Sequence, residues 1–272
     1  MSIFNGKVAI ITGAGSGIGK GLAEELSRRG AHVVISDVNA ERIEKAAQGI
    51  RKAGGKVAFS LVDVSDYEAV RKMIGDTIAT HGRIDYIFNN AGIAVVGAAK
   101  DFSIDDWLKV IDINLKGVVN GVATAYPIMV RQGFGHIINT ASIEGLAPLT
   151  FSASYVTSKY GVVGLTSALR IEGALHGVKV SAVCPGYVKT SMFKDFKVIN
   201  IDRQKLTPPD WSGVTPEECA SIILHGVERN KAFIVVTLFA KIFWILNRIS
   251  PDLVIWLMKK NLQKAKEMGV IS

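Results

Sequence analysis

The sequence predicts an α/β protein built on a doubly wound parallel sheet, and three observations predict it. Between Lys7 and Gly186, short apolar runs rich in β-branched residues alternate with longer stretches of helical period. These runs end in Gly, Asp, Asn or Ser, the residues that turn a chain out of a sheet. The first run also leads straight into a glycine cluster, "TGAGSGIG" (residues 12–19), that opens a helix.

Each element follows from its own pattern. "KVAIITG" (7–13), "HVVISD" (32–37), "VAFSLVDV" (57–64), "IDYIFNNAG" (84–92), "HIINTAS" (136–142) and "KVSAVCPG" (179–186) read as buried strands. Between them, "GKGLAEELSRRG" (19–30) sets Leu22, Ala23 and Leu26 on one helical face and charges on the other. Helical crossovers between parallel strands place helices on both faces of the sheet. The alternation stops after Gly186. Residues 187–214 are polar and contain Pro208 and Pro209, so they form a long irregular segment, either a functional lid or a surface excursion. No internal repeat or low-complexity linker divides the chain.

Composition narrows the class. At 272 residues, 49% hydrophobic and 21% charged, the chain can bury a sizeable core without disulfides. Cys184 and Cys219 have no CxxC spacing and the five histidines are scattered singly, so no metal site is expected. Residues 1–7 carry no basic leader or cleavage site before the first strand, and two reduced thiols suit a cytoplasmic protein. From Lys231 onward there are seven Lys/Arg and two Asp/Glu, so +5 of the net +8 sits at the C-terminus. A nucleic-acid partner is therefore not expected, because no whole face is basic.

The glycine cluster lets the backbone turn tightly and approach a pyrophosphate at a helix N-terminus. Asp37 ends the second run eighteen residues after Gly19. A carboxylate there accepts hydrogen bonds from a ribose diol and repels a 2′-phosphate. No Arg or Lys lies within residues 14–17 or directly after Asp37, and the next basic residue is Arg42, so NAD is expected rather than NADP.

Further motifs follow in order: Asp63–Val64; "NNAG" (89–92); Asn114 in "DINLKG"; Ser142; "YVTSK" (155–159); and "PGYVKT" (185–190). Together with the glycines they resemble the short-chain dehydrogenase/reductase family, from residue 3 to about residue 230. The resemblance implies a Rossmann-like domain over residues 1–237. It also implies a cofactor cleft lined by Thr12, Gly13, Ser16, Gly17, Ile18, Gly19, Asp37, Asp63, Val64, Asn90, Ala91, Gly92, Tyr155, Lys159, Pro185, Gly186, Val188 and Thr190. It makes Asn114, Ser142, Tyr155 and Lys159 a catalytic tetrad, with Lys159 holding the nicotinamide ribose and Asn114 supporting a proton-relaying water. A homo-oligomer, tetramer or dimer, is implied through helices around residues 106–125 and 154–173.

The chemistry is consistent with this. Tyr155 and Lys159 are one helical turn apart and share a face. A free phenol, with a pKa near ~10, is a poor base at neutral pH. A neighbouring ammonium and an oxidised nicotinamide ring would lower that value. Tyr160 points away from this face and is assigned to packing. Ser142 donates to the substrate oxygen where charge develops. The expected reaction is hydride transfer between a secondary alcohol or ketone and NAD; the alternative is a nucleotide-binding regulatory protein without turnover. Ile143, Leu146, Leu149, Phe151, Met192 and Phe193 suggest a lipophilic substrate that touches Ser142, Glu144, Tyr155 and Tyr187. Glu144 either orients a polar end of it or faces solvent.

The family pattern ends before residues 238–272, an apolar and basic helical extension of the same domain. Lys241, Arg248, Pro251 and Asp252 interrupt it short of the ~20 apolar residues of a membrane span. Pro251 divides two helical pieces. Leu238, Ile242, Ile245 and Ile249 form a stripe on the first, with Lys241 and Arg248 on another side. Leu253, Leu257, Asn261 and Ala265 run along the second, among Lys259, Lys260, Lys264 and Lys266. Three roles are open for residues 238–266: a cover for the substrate pocket, a subunit interface, or peripheral membrane contact.

Overall fold

A computed structural model describes residues 2–203 and 213–267. Seven strands form one parallel sheet: β1 (Val8–Thr12), β2 (His32–Asp37), β3 (Lys56–Leu61), β4 (Tyr86–Asn89), β6 (Gly135–Thr140), β7 (Val178–Cys184) and β9 (Phe233–Val235). Their order is β3-β2-β1-β4-β6-β7-β9. β5 (Val95–Gly97) and β8 (Lys197–Ile199) pair separately as a short parallel ribbon. The chain builds outward from β1 in one direction and from β4 in the other. That reversal opens a crevice at the C-terminal ends of the strands, where open α/β sheets bind ligands.

Alternate residues of the central strands feed two cores. Ile11, Ile35, Phe88 and Ile138 meet Leu22, Leu26, Ile43, Ile223 and Leu224 from α1 (Gly17–Arg28), α2 (Ala40–Lys52) and α8 (Pro216–Glu228). Ile10, Ile87 and Ile137 face the other way. They pack with Val70, Ile74, Val118, Met129, Val162 and Leu169 from α3 (Tyr67–His81), α5 (Gly117–Gln132) and α6 (Ala153–Ala174). Helix starts carry the expected chemistry: Asn39, Asp66 and Thr237 cap with their side chains, and Ser103 and Thr215 form capping boxes for α4 (Ile104–Ile111) and α8. Between α4 and α5 the chain forms one π-helical turn, Asp112–Lys116. The last helices, α9 (Leu238–Ile249) and α10 (Pro251–Glu267), add Ala240, Phe243 and Val254 to the second core.

Three expectations need correction. β3 is not a buried strand: it is the sheet edge, most of its side chains are exposed, and Phe59 lies under the Arg51 guanidinium. A seventh strand, β9, carries no sequence signal, because three residues give no readable alternation; it is fixed by pairing with Ala182–Cys184. The segment after Gly186 is less irregular than its composition suggests, containing α7 (Met192–Asp195) and β8. Pro208 and Pro209 lie outside the described residues.

Two glycine substitutions test the packing. A Cβ on Gly21 of α1 would stand 2.8 Å from the Pro216 carbonyl oxygen at the start of α8. Gly21→Val should therefore cost about 1–3 kcal/mol. Gly75, in α3, has no atom within 4 Å of such a Cβ. Gly75→Ala should stabilise by about 0.5–1 kcal/mol. Denaturant midpoints measure both; equal shifts in the two variants would contradict the α1–α8 contact.

Candidate active site

The crevice is held at the point where β1 and β4 part. Thr12 Oγ1 accepts from the backbone N–H groups of Asn90 (3.0 Å) and Ala91 (3.1 Å), and Asn90 Nδ2 donates back to the Thr12 carbonyl at 3.0 Å. Gly13 has φ +64°, and a Cβ there would stand 2.7 Å from Ala91 Cα. A Cβ on Gly19 would meet the Gly13 carbonyl oxygen at 2.3 Å. Only glycine keeps this turn tight. Ser16 is the N-cap of α1, and Gly17, Ile18 and Gly19 form its first turn, whose N–H groups have no intrahelical acceptor.

From the other side, Thr190 reaches over the start of α1, its Cγ2 at 3.1 Å from a Cβ placed on Gly17. Pro185 accepts from the Ile143 N–H (2.8 Å), and Val188 forms an isolated bridge with Val214. Gly186 lies against Thr237 and Ala240 at the start of α9. Asp37 ends β2 beside the glycine turn: Oδ2 accepts from the Gly15 N–H (3.0 Å) and Oδ1 from the Asn39 N–H (2.9 Å). Arg42, one helical turn away on α2, is engaged with Asp195 of α7 at 3.0 Å. Asp63 Oδ1 accepts from the Ser65 N–H and hydroxyl, and the Val64 carbonyl accepts from Asn120 Nδ2. The close-packed glycines, the open helix N-terminus and the polar end of β2 fit a dinucleotide.

The four expected catalytic residues converge at the ends of β4 and β6. Asn114 sits in the π-helical turn, fully buried; its Oδ1 accepts from the Ile93 N–H (2.8 Å), and its Nδ2 donates to the Ile93 carbonyl (2.9 Å) and Ser158 Oγ (3.2 Å). Such turns recur at functional sites because they shift one residue out of the helical register. A Cβ on Gly92 would stand 3.2 Å from Asn114 Oδ1 and 3.5 Å from Lys159 Nζ, so the end of "NNAG" lies against both. Lys159 Nζ is buried, donates to the Thr140 carbonyl at 2.7 Å and lies 5.4 Å from the centre of the Tyr155 ring. Ser142 caps the 3₁₀ turn Ile143–Gly145, accepting from the Glu144 N–H at 3.2 Å, and its side chain hydrogen-bonds that of Tyr155.

The electrostatics differ from expectation at Tyr155. Burial and the nearby Glu144 push its phenol above the usual tyrosine range, and only the Ser142 hydrogen bond opposes them. Burial lowers the Lys159 ammonium to about 8, against upward pulls from Cys184 and Glu144. The expected lowering of the phenol is therefore not a property of the protein alone. Tyr160 faces outward, half-exposed, with its hydroxyl on Asn247 of α9.

Glu144 does not simply face solvent. Part-buried, it accepts from the Ser152 hydroxyl and carries a carboxyl raised by burial to about 7. Of the expected pocket residues, Ile143 and Leu146 are buried in the core rather than open to a ligand, because the 3₁₀ turn points them inward. Tyr187 packs edge-on against Phe193 at 4.7 Å between ring centres. Thr140, Ser152 and Ser158 take part in the site but carry no sequence signal of their own, since each acts through hydrogen bonds that the fold alone brings together.

Comparison with known proteins agrees with this geometry. The family described as short chain dehydrogenase matches residues 7–198. Cyclohexanol dehydrogenase of Acinetobacter sp. (strain SE19) is 38% identical over 232 residues, covering 85% of this chain and 91% of that protein. Meso-2,3-butanediol dehydrogenase of Serratia marcescens is 36% identical over 231 residues, covering 85% and 91%. Among solved structures, a short-chain dehydrogenase/reductase from Burkholderia phymatum in complex with NAD superposes with a TM-score of 0.83 at 28% identity, covering 93% of this chain and 96% of that one. From its fold, its crevice and these relatives, the chain belongs to the short-chain dehydrogenase/reductase family and is an oxidoreductase acting on alcohol or ketone groups.

Proposed function

We propose that the protein is an NAD-dependent oxidoreductase of a lipophilic secondary alcohol or ketone, with Tyr155 as the general acid and base. The observation that carries this reading is the Tyr155 phenol on the Ser142 hydroxyl, with its ring 5.4 Å from the buried Lys159 ammonium. A regulatory nucleotide-binding protein has no use for that arrangement. NAD is favoured by Asp37 and by the engagement of Arg42 with Asp195, which leaves a 2′-phosphate facing a carboxylate. The bound nicotinamide supplies the hydride acceptor and, when oxidised, a positive charge near the phenol. The chain's residues do the rest. Ser142 donates to the substrate oxygen as charge develops there. Tyr155 takes the hydroxyl proton in oxidation and returns it in reduction. Lys159 holds the ribose and supplies the cation that stabilises phenolate. Asn114 fixes the turn through which a water passes the proton to solvent.

The apolar surroundings of α7 favour a lipophilic substrate, in keeping with the name of the cyclohexanol-oxidising relative. Exposed Ile104, Leu108, Val119 and Ile171 on α4, α5 and α6, with Leu175 just after α6, support a homodimer or homotetramer built on those helices.

Tyr155→Phe should reduce turnover by at least about 10²-fold while dinucleotide affinity stays close to that of the parent. Tyr160→Phe should keep most activity; steady-state kinetics and dinucleotide titration separate the two, and like behaviour would contradict the helical-face assignment. NAD should be used far more efficiently than NADP. Asp37→Ala should narrow that ratio by about tenfold or more, read as kcat/KM for each cofactor. Glu144 supplies a pH test. Above about 7 its carboxylate is ionised and opposes phenolate formation at Tyr155, whereas below that it is neutral. In Glu144→Gln the rise of alcohol oxidation with pH should therefore move to lower pH, with the two profiles converging on the acid side. A shift the other way would contradict the coupling.

A further inference from the structure

The last two helices turn an apolar stripe away from the protein. On α9, Ala240 and Phe243 are buried against the core, while Leu238, Ile242, Ile245 and Ile249 occupy the opposite side, 51–77% exposed. Spacings of four, three and four residues place them along one line of the helix. On α10, Val254 faces inward, and Leu253, Ile255 and Trp256 are exposed. A helix whose outer face is more apolar than its inner contacts require is not made for water.

The charges around the stripe have one sign. Residues 238–267 contain Lys241, Arg248, Lys259, Lys260, Lys264 and Lys266 against only Asp252 and Glu267. None of these six cations forms an ion pair among the described residues. Lys260 Nζ lies 4.0 Å above the exposed Trp256 ring, so a cation and an indole share the outer surface of α10, whereas Trp244, beside Arg248, packs inward against Phe233. No helix of the described residues is long and apolar enough to cross a membrane.

We propose that the outer faces of α9 and α10 dock the protein onto an anionic lipid bilayer. Charge complementarity selects this occupant. A second copy joined about a two-fold axis would bring the same cations against themselves, whereas anionic headgroups meet them with opposite charge while the stripe enters the interfacial region. The location gives the contact a purpose. Asn247 of α9 donates to the Leu146 carbonyl at 2.9 Å, fastening the helix to the turn that follows Ser142. An apolar groove of about 200 Å³ runs between α10 and the loop after that turn, lined by Pro148, Leu149, Ile255, Met258 and Leu262. A bilayer on α9 and α10 would thus lie beside the substrate side of the crevice. The docking surface itself stands independently of the catalytic reading.

Flotation of the full chain with vesicles of equal parts phosphatidylglycerol and phosphatidylcholine tests the proposal. Binding should occur at low salt, fall as salt rises and be absent with phosphatidylcholine alone. Lys260→Ala should weaken it about five-fold. The pair Ile242→Glu and Ile245→Glu, at exposed positions remote from the catalytic residues, should abolish it while leaving the melting temperature unchanged. No flotation by the parent protein would overturn the proposal, as would flotation indifferent to the paired substitution. If the paired substitution instead changed the mass measured by light scattering while the parent ignored vesicles, the stripe would be a contact between copies, and the bilayer would be excluded.

Discussion

The structure turns on one buried ammonium. Taking a lysine side chain out of water costs several kcal/mol unless its donors are met. Lys159 offsets part of that cost with the Thr140 carbonyl at 2.7 Å, at the C-terminal end of β6, and burial still lowers its ammonium to about 8. The acceptor is therefore part of the sheet, and the donor belongs to the longest helix packed on it. Neither can shift without uncovering the charge. Tyr155, one turn earlier on α6, inherits that position, and its ring lies 5.4 Å from the ammonium. Gly145 is held equally tightly: a Cβ there would stand 2.6 Å from the Lys159 carbonyl oxygen, so the turn carrying Ser142 rests on the backbone of the same helix.

The second constraint lies across the crevice. Thr12 ties β1 to the "NNAG" segment with its hydroxyl and carbonyl, and Gly92 of that segment packs beside both Asn114 and Lys159. The glycine turn, Asn114 and Lys159 are thus parts of one continuous contact network. Glu144 is coupled to it electrically, because its charge acts on both Tyr155 and Lys159.

Much of this was legible in the residues, for physical reasons. β1 and β4 are continuous apolar runs because they are buried on both faces, and the turn glycines have no substitute where backbones approach within a Cβ's reach. The Tyr155–Lys159 face follows from helical spacing alone. What could not be read depends on partners distant in sequence. β9 is three residues long and exists through its pairing with β7; β3 has the composition of a buried strand but no neighbour beyond it. The direction of the Tyr155 shift depends on burial and on Glu144, eleven residues away in sequence. For α9, periodicity identified the stripe of Leu238, Ile242, Ile245 and Ile249 but not which side faced the core; Ala240 and Phe243, with fewer apolar positions between them, are the ones buried.

The central claim is that this arrangement transfers hydride rather than merely holding a nucleotide. Incubation with NAD and cyclohexanol deuterated at the carbinol carbon, followed by mass analysis of the dinucleotide, addresses it most directly. The account predicts deuterium on the reduced nicotinamide and cyclohexanone as the co-product. Binding of NAD with no label transferred, from cyclohexanol or from any of a panel of bulkier deuterated secondary alcohols, would contradict it.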